Sequence, residues 1–189
     1  MTTISGTTPY AWPYDGRLEP ALTAVLRIVV GEGSGTAGTH RDRADEVAES
    51  VRAAGGLVVS VITRPPARAP RQGHVRAPGS DPIVRSCGID GFFGSPLDAV
   101  LRSDGRDRLI LVGDGLETCV HSTMRSANDR GYECLLVLDA CRPHDPELVG
   151  ASASQVEMSG GIFGAIGSSA EVCRSYATLP IFTSERSAS

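Results

Sequence analysis

The chain has 189 residues with a formal net charge of −4. That length allows one domain around one substantial core, and the acidic balance excludes a general nucleic-acid binder. No run approaches the ~20 apolar residues of a membrane span. The polar stretch from Met1 to Pro13 lacks the apolar centre of a secretory signal, so the expected location is cytoplasmic.

All 18 basic residues are arginines. No side chain here can form a Schiff base or titrate as an ammonium group. The five cysteines (Cys87, Cys119, Cys134, Cys141 and Cys173) include no CxxC pair, so the pattern fits neither a disulfide framework nor zinc. His40 and His74 are expected in loops and form no metal cluster. No metal or cofactor is expected.

In chain order, a Pro-rich lead-in ending at Pro20 precedes a β-rich run, Thr23 to Val30. Gly31 to Gly38 is glycine-rich. Arg41 to Ala54 carries Ala44, Val47, Ala48 and Val51 at helical spacing, stopped by Gly55 and Gly56. Leu57 to Thr63 suits a strand buried on both faces, and Arg64 to Asp81 reads as a surface loop. A short strand is predicted at Ile83 to Arg85, a helix at Ser95 to Arg102 and a strong strand at Arg108 to Val112. Then come a helix from Glu117 to Arg130, closed by Gly131, and a strand from Glu133 to Leu138. A helix from Pro146 to Met158 and a short strand from Ile162 to Ile166 complete the pattern.

Strands alternating with helices predict an α/β fold: a doubly wound, mostly parallel Rossmann-like sheet with helices on both faces. Ligands of such sheets bind at the carboxyl ends of the strands, here near Val30, Thr63, Val112 and Leu138. Residues 1–20 are expected to pack on the domain as an extension, 21–180 to form the domain, and 181–189 to be a flexible tail.

The most informative stretch is Leu109 to Asp139. An apolar strand runs into Gly113-Asp114-Gly115 and a helix begins near Glu117, placing Cys119 in the first helical turn. Unpaired N–H groups there favour a thiolate and can hold an oxyanion. Alone, the pattern equally fits a small buried cysteine at a helix start.

The turn Gly113-Asp114-Gly115, followed by Cys119-Val120 and a helix ending Gly131-Tyr132, resembles the signature of the isochorismatase-like cysteine hydrolases. CVHSTMRSANDRGYECLL is similar to the ureidoacrylate amidohydrolase and biuret hydrolase subgroup. PYAWPYDGRLEPALTAVL, Gly91-Phe92-Phe93-Gly94 and Ser159 to Ala165 resemble that subgroup elsewhere. The resemblance implies the isochorismatase-like fold, a nucleophilic Cys119 and an oxyanion held by the amides around Thr118 and Cys119. Asp114, Gly115, Thr118 and Phe93 would meet the substrate, and the turn often contains a cis peptide. It also implies a small-molecule amide or ureido substrate and self-association into a homo-oligomer.

Two family residues are missing. The general-base aspartate position at the end of the first strand falls on Val29, and the lysine position falls on Cys87. A positioned proton carrier contributes about 10²–10⁴-fold, so its loss puts ordinary hydrolysis in question. Glu32 is one substitute base. Asp114 and Glu117 are others, although helix N-terminal capping or solvation is the stronger reading of both. His121 lies about 200° around the helix from Cys119 and points away. Cys87 either fills the lysine's space or joins Cys119 in a two-thiol site or disulfide.

Gly33 to Gly38 matches GxGxxG, and the following strand ends Thr63-Arg64, where an arginine in place of the usual acid could favour a 2′-phosphate; the resemblance elsewhere makes a plain Gly-rich loop the stronger reading. Arg64, Arg68, Arg71 and Arg76 read as a solvated loop, or as a site for an anionic substrate. Two functions therefore stand: a divergent cysteine hydrolase acting through Cys119, or a non-hydrolytic or inactive homologue that keeps the fold.

Overall fold

The computed structural model describes residues 2–31, 38–64, 73–75 and 81–179. Its strands are β1 (Thr23–Val30), β2 (Leu57–Thr63), β3 (Gly73–Val75), β4 (Ile83–Arg85), β5 (Arg108–Asp114), β6 (Glu133–Arg142) and β7 (Ala165–Gly167). They form one sheet in the order β3-β4-β2-β1-β5-β6-β7. Six run parallel, and β3 pairs antiparallel to β4 at the edge. The helices are α1 (Thr39–Ala53), α2 (Leu97–Ser103), α3 (His121–Asp129), α4 (Val149–Glu157) and α5 (Ser169–Ala177). The expected doubly wound α/β architecture is present.

Two apolar layers sandwich the sheet. Val47 and Val51 of α1 pack with Val172 and Tyr176 of α5 on one face. Leu97 and Leu101 of α2, Met124 of α3 and Val156 of α4 cover the other. Ile4, Trp12 and Leu18 enter the first layer, so the lead-in contributes to the core. Residues 180–189 lie outside the described residues.

Several elements differ from expectation. Inside the predicted 64–81 loop, β3 satisfies the outer edge of β4, which would otherwise be open. His74 is therefore on a strand, and His40 is in the first turn of α1, not in loops. The strand expected at Ile162 to Ile166 forms only at Ala165–Gly167. Gly160, Gly161 and Gly164 adopt positive φ just before it, backbone that suits turns. The helix expected from Pro146 breaks into a 3-10 turn, Pro146–Leu148, before α4. α5 was not predicted, although Ser168 and Glu171 form the capping box that starts it.

The strand order reverses at β1, which has β2 on one side and β5 on the other. The crevice beyond the carboxyl ends of β1 and β5 is the switch point where such sheets bind ligands. The turn leaving β5 carries Cys119.

Candidate active site

Backbone geometry shapes this turn. Gly113 has φ +120°, and a β-carbon there would sit 2.1 Å from the carbonyl oxygen of Ile28 on β1. Only glycine lets the two strands approach so closely. Gly115 follows in the left-handed region at φ +76°. Residues Leu116–Val120 form a single π-helical turn, not the expected start of an α-helix. The Val120 N–H donates to the Gly115 carbonyl at 3.0 Å, the spacing of a π-turn, which is frequent at functional sites. Among the described residues the cis peptide bonds precede Pro9 and Pro13, so this turn is trans throughout.

Cys119 is 2% exposed and packs in the same layer as Ile28, Val61 and Phe92. Its sulfur lies 3.9 Å from the Thr118 hydroxyl. Of the two amides expected to hold an oxyanion, the Thr118 N–H is spent on the Gly115 carbonyl at 3.0 Å. The Thr123 hydroxyl donates to the Cys119 carbonyl at 2.7 Å and accepts the Gly91 N–H at 2.9 Å. The Gly91 to Gly94 loop is thereby docked on the turn. Phe93 in that loop is 62% exposed and lines a cavity of about 270 Å³ with Gly88, Ile89 and Asp90.

A model of the isochorismatase domain matches residues 30–171, most of the chain. The chain belongs to the isochorismatase family. The ureidoacrylate amidohydrolase RutB of Azorhizobium caulinodans is 33% identical over 101 residues, covering 53% of this chain and 43% of that protein. RutB of Stutzerimonas stutzeri is 28% identical over 156 residues, covering 78% and 58%. The chain thus spans about half the length of these curated relatives. A cysteine hydrolase from Pseudomonas syringae pv. phaseolicola superposes with a TM-score of 0.68 at 20% identity, covering 85% of this chain and 94% of that one. That likeness is one of fold.

The two sides of β1 bear on the base position that the resemblance aligns with Val29. Ala24, Leu26 and Ile28 share the layer of Cys119, and Val30 packs against it. Val25 lies in the opposite layer, and Val29 has its parity. The β1 residue on the cysteine's side is therefore Val30, not Val29. Either valine is unable to take a proton. Glu32 lies outside the described residues, as do residues 33–37 of the Gly-rich match and Arg68, Arg71 and Arg76.

Cys87, which the resemblance aligns with the family's lysine, donates its thiol hydrogen to the Gly94 carbonyl at 3.2 Å. A β-carbon on Gly94 would lie 2.5 Å from that sulfur, so the glycine makes room for it. All five cysteines are free thiols; the disulfide option for Cys87 and Cys119 is not realised.

Neither Asp114 nor Glu117 is the N-cap of this turn, a position held by Gly115. Asp114 pairs with Arg142 at 2.9 Å. The Glu117 carboxylate accepts the backbone N–H groups of His144 and Asp145, each at 2.8 Å. Partial burial opposes its ionisation, but its own backbone N–H, with those of Asp145 and His144, outweighs burial and holds it below the usual carboxylate range. His121 turns to α4, its Nε2 3.1 Å from the Ser152 carbonyl.

The residue that sequence reading missed is His144. Its Nε2 lies 3.1 Å from where a β-carbon on Gly115 would be, and the same point is 2.8 Å from the Thr118 hydroxyl and 3.4 Å from the Cys119 nitrogen. No sequence spacing links positions 115 and 144; only strand pairing brings them together.

Proposed function

We propose that this chain is a divergent cysteine hydrolase acting on a small amide, ureido or related carbonyl compound, with Cys119 as nucleophile. The observation that carries the reading is the placement of Cys119 on the Gly113-Asp114-Gly115 turn beyond β5, at the sheet's switch point. A sulfur one turn from a strand end, beside the Thr118 hydroxyl and with the Cys119 amide as oxyanion donor, suits attack on a carbonyl carbon. The names of the RutB relatives support a ureido or acrylate-type amide as the substrate class. Asp114, Gly115, Thr118 and Phe93 are the substrate-facing residues of this reading, and self-association into a homo-oligomer accompanies it.

The test is ammonia release from a panel of small ureido amides, including ureidoacrylate, by the wild-type chain and Cys119→Ser. In parallel, iodoacetamide labelling is mapped by peptide mass spectrometry. Turnover that vanishes in Cys119→Ser, with alkylation at Cys119, supports the reading. An unlabelled Cys119 and no turnover on any member would make the chain a non-hydrolytic homologue.

A further inference from the structure

β5 and β6 do not stay in simple register. Leu111 faces Leu136, but two residues further along β5, Gly113 faces Cys141, five residues further along β6. The three additional residues in β6 carry its end past the Cys119 turn. Asp114 then faces Arg142, and the Gly115 N–H donates to the Arg142 carbonyl at 2.9 Å. His144 follows two residues later. Without that shift the segment opposite Gly115 would lie several residues before His144.

The loop is also fixed in place. The Glu117 carboxylate receives the backbone N–H groups of both His144 and Asp145. Its charge sits within the π-turn that holds Cys119. This clamp places the imidazole beside Gly115: its Nε2 lies 3.1 Å from where a β-carbon there would sit, a point 2.8 Å from the Thr118 hydroxyl and 3.4 Å from the Cys119 nitrogen. Among the described residues its ring nitrogens have no hydrogen-bond partner. Gly115 leaves the gap that the ring faces; a β-carbon there would crowd both Thr118 and His144.

We infer that His144 is the acid–base residue of this site, in the role left vacant by the missing aspartate; this rests on the hydrolase reading above. Histidine suits it because one imidazole nitrogen can both give and take a proton. Cys119 enters as a thiolate, its proton lost to solvent, with His144 as imidazolium. The sulfur–carbon bond forms as the carbonyl electron pair moves to oxygen. Collapse of the adduct breaks the carbon–nitrogen bond, and the leaving nitrogen takes the proton from His144. Water then gives a proton to the neutral ring as its oxygen attacks the thioester carbon. The second collapse expels Cys119 as thiolate and releases the acid.

The experiment uses p-nitrophenyl acetate with the full chain, comparing wild type, His144→Gln and Cys119→Ser. p-Nitrophenolate leaves without a proton, so acylation needs no acid but deacylation still needs a base. The expected result is a Cys119-dependent burst in wild type and His144→Gln alike. The steady-state phase of His144→Gln should be slower by on the order of 10²-fold and lose its rise with pH near neutrality. An intact burst with an unchanged steady state overturns the role of His144 alone. Loss of burst and steady state together makes His144 structural and overturns it too. A wild-type chain without a Cys119-dependent burst overturns the hydrolase reading, and this role with it.

Discussion

The Thr123 hydroxyl donates to the carbonyl of Cys119 at 2.7 Å while accepting the N–H of Gly91 at 2.9 Å. One buried side chain thus joins the turn that presents the sulfur to the loop that carries Phe93. Thr123→Val keeps the shape but leaves a buried N–H and a buried carbonyl without this partner. The expected cost is about 1–3 kcal/mol, read as a lowered urea midpoint at unchanged m. A change within error would mean that the loop docks by packing alone.

The parity of β1 makes a paired prediction. Val30→Asp should restore a proton acceptor on the cysteine's side and speed alkylation of Cys119 by about 10²-fold. Val29→Asp, aimed at the opposite layer, should leave that rate unchanged and lower stability. Equal effects from both substitutions, measured by timed mass spectrometry, would refute the assignment of faces.

Gly113 sets how closely β1 and β5 can approach. Gly113→Ala places a methyl 2.1 Å from the Ile28 carbonyl oxygen in a backbone region at φ +120°. Relief requires the strands to part, so a loss of several kcal/mol, of the order of 4 or more, is expected. The measurement is the yield of folded protein and its urea midpoint; a variant with wild-type stability would contradict the close approach.

Alkaline pH should weaken the fold. Burial holds the Cys134 and Cys141 thiols well above the ordinary thiol range and pushes the Tyr176 phenol up to about 12. Each group keeps its proton longer when folded than when unfolded. Its contribution is complete below the unfolded pKa, about 8.5 for a thiol, and is lost as pH rises toward the folded values. Circular-dichroism melts should therefore show Tm falling from about pH 8.5 upward. A Tm that holds or rises to pH 10 would contradict this burial.

Much of the fold could be read from local pattern. The apolar runs at Thr23 to Val30, Leu57 to Thr63 and Leu109 to Val112 became the central parallel strands, because such runs have to be buried on both faces. The helical spacing of Ala44, Val47 and Val51 gave α1, and the glycines around Asp114 marked the Cys119 turn. The absence of lysine was likewise settled by composition.

Long-range pairing decided the rest. Whether Val29 or Val30 faces the sulfur depends on which layer each side of β1 meets, since neighbouring strand residues point to opposite faces. The pairing of β6 as far as Arg142 comes with a register change against β5, and the turn at Cys119 is π-helical rather than α-helical. No local period encodes that change. His144 stands 29 positions after Gly115 in the chain, and its imidazole reaches the turn because β5 and β6 pair out of step and the Glu117 carboxylate grips the loop that follows β6.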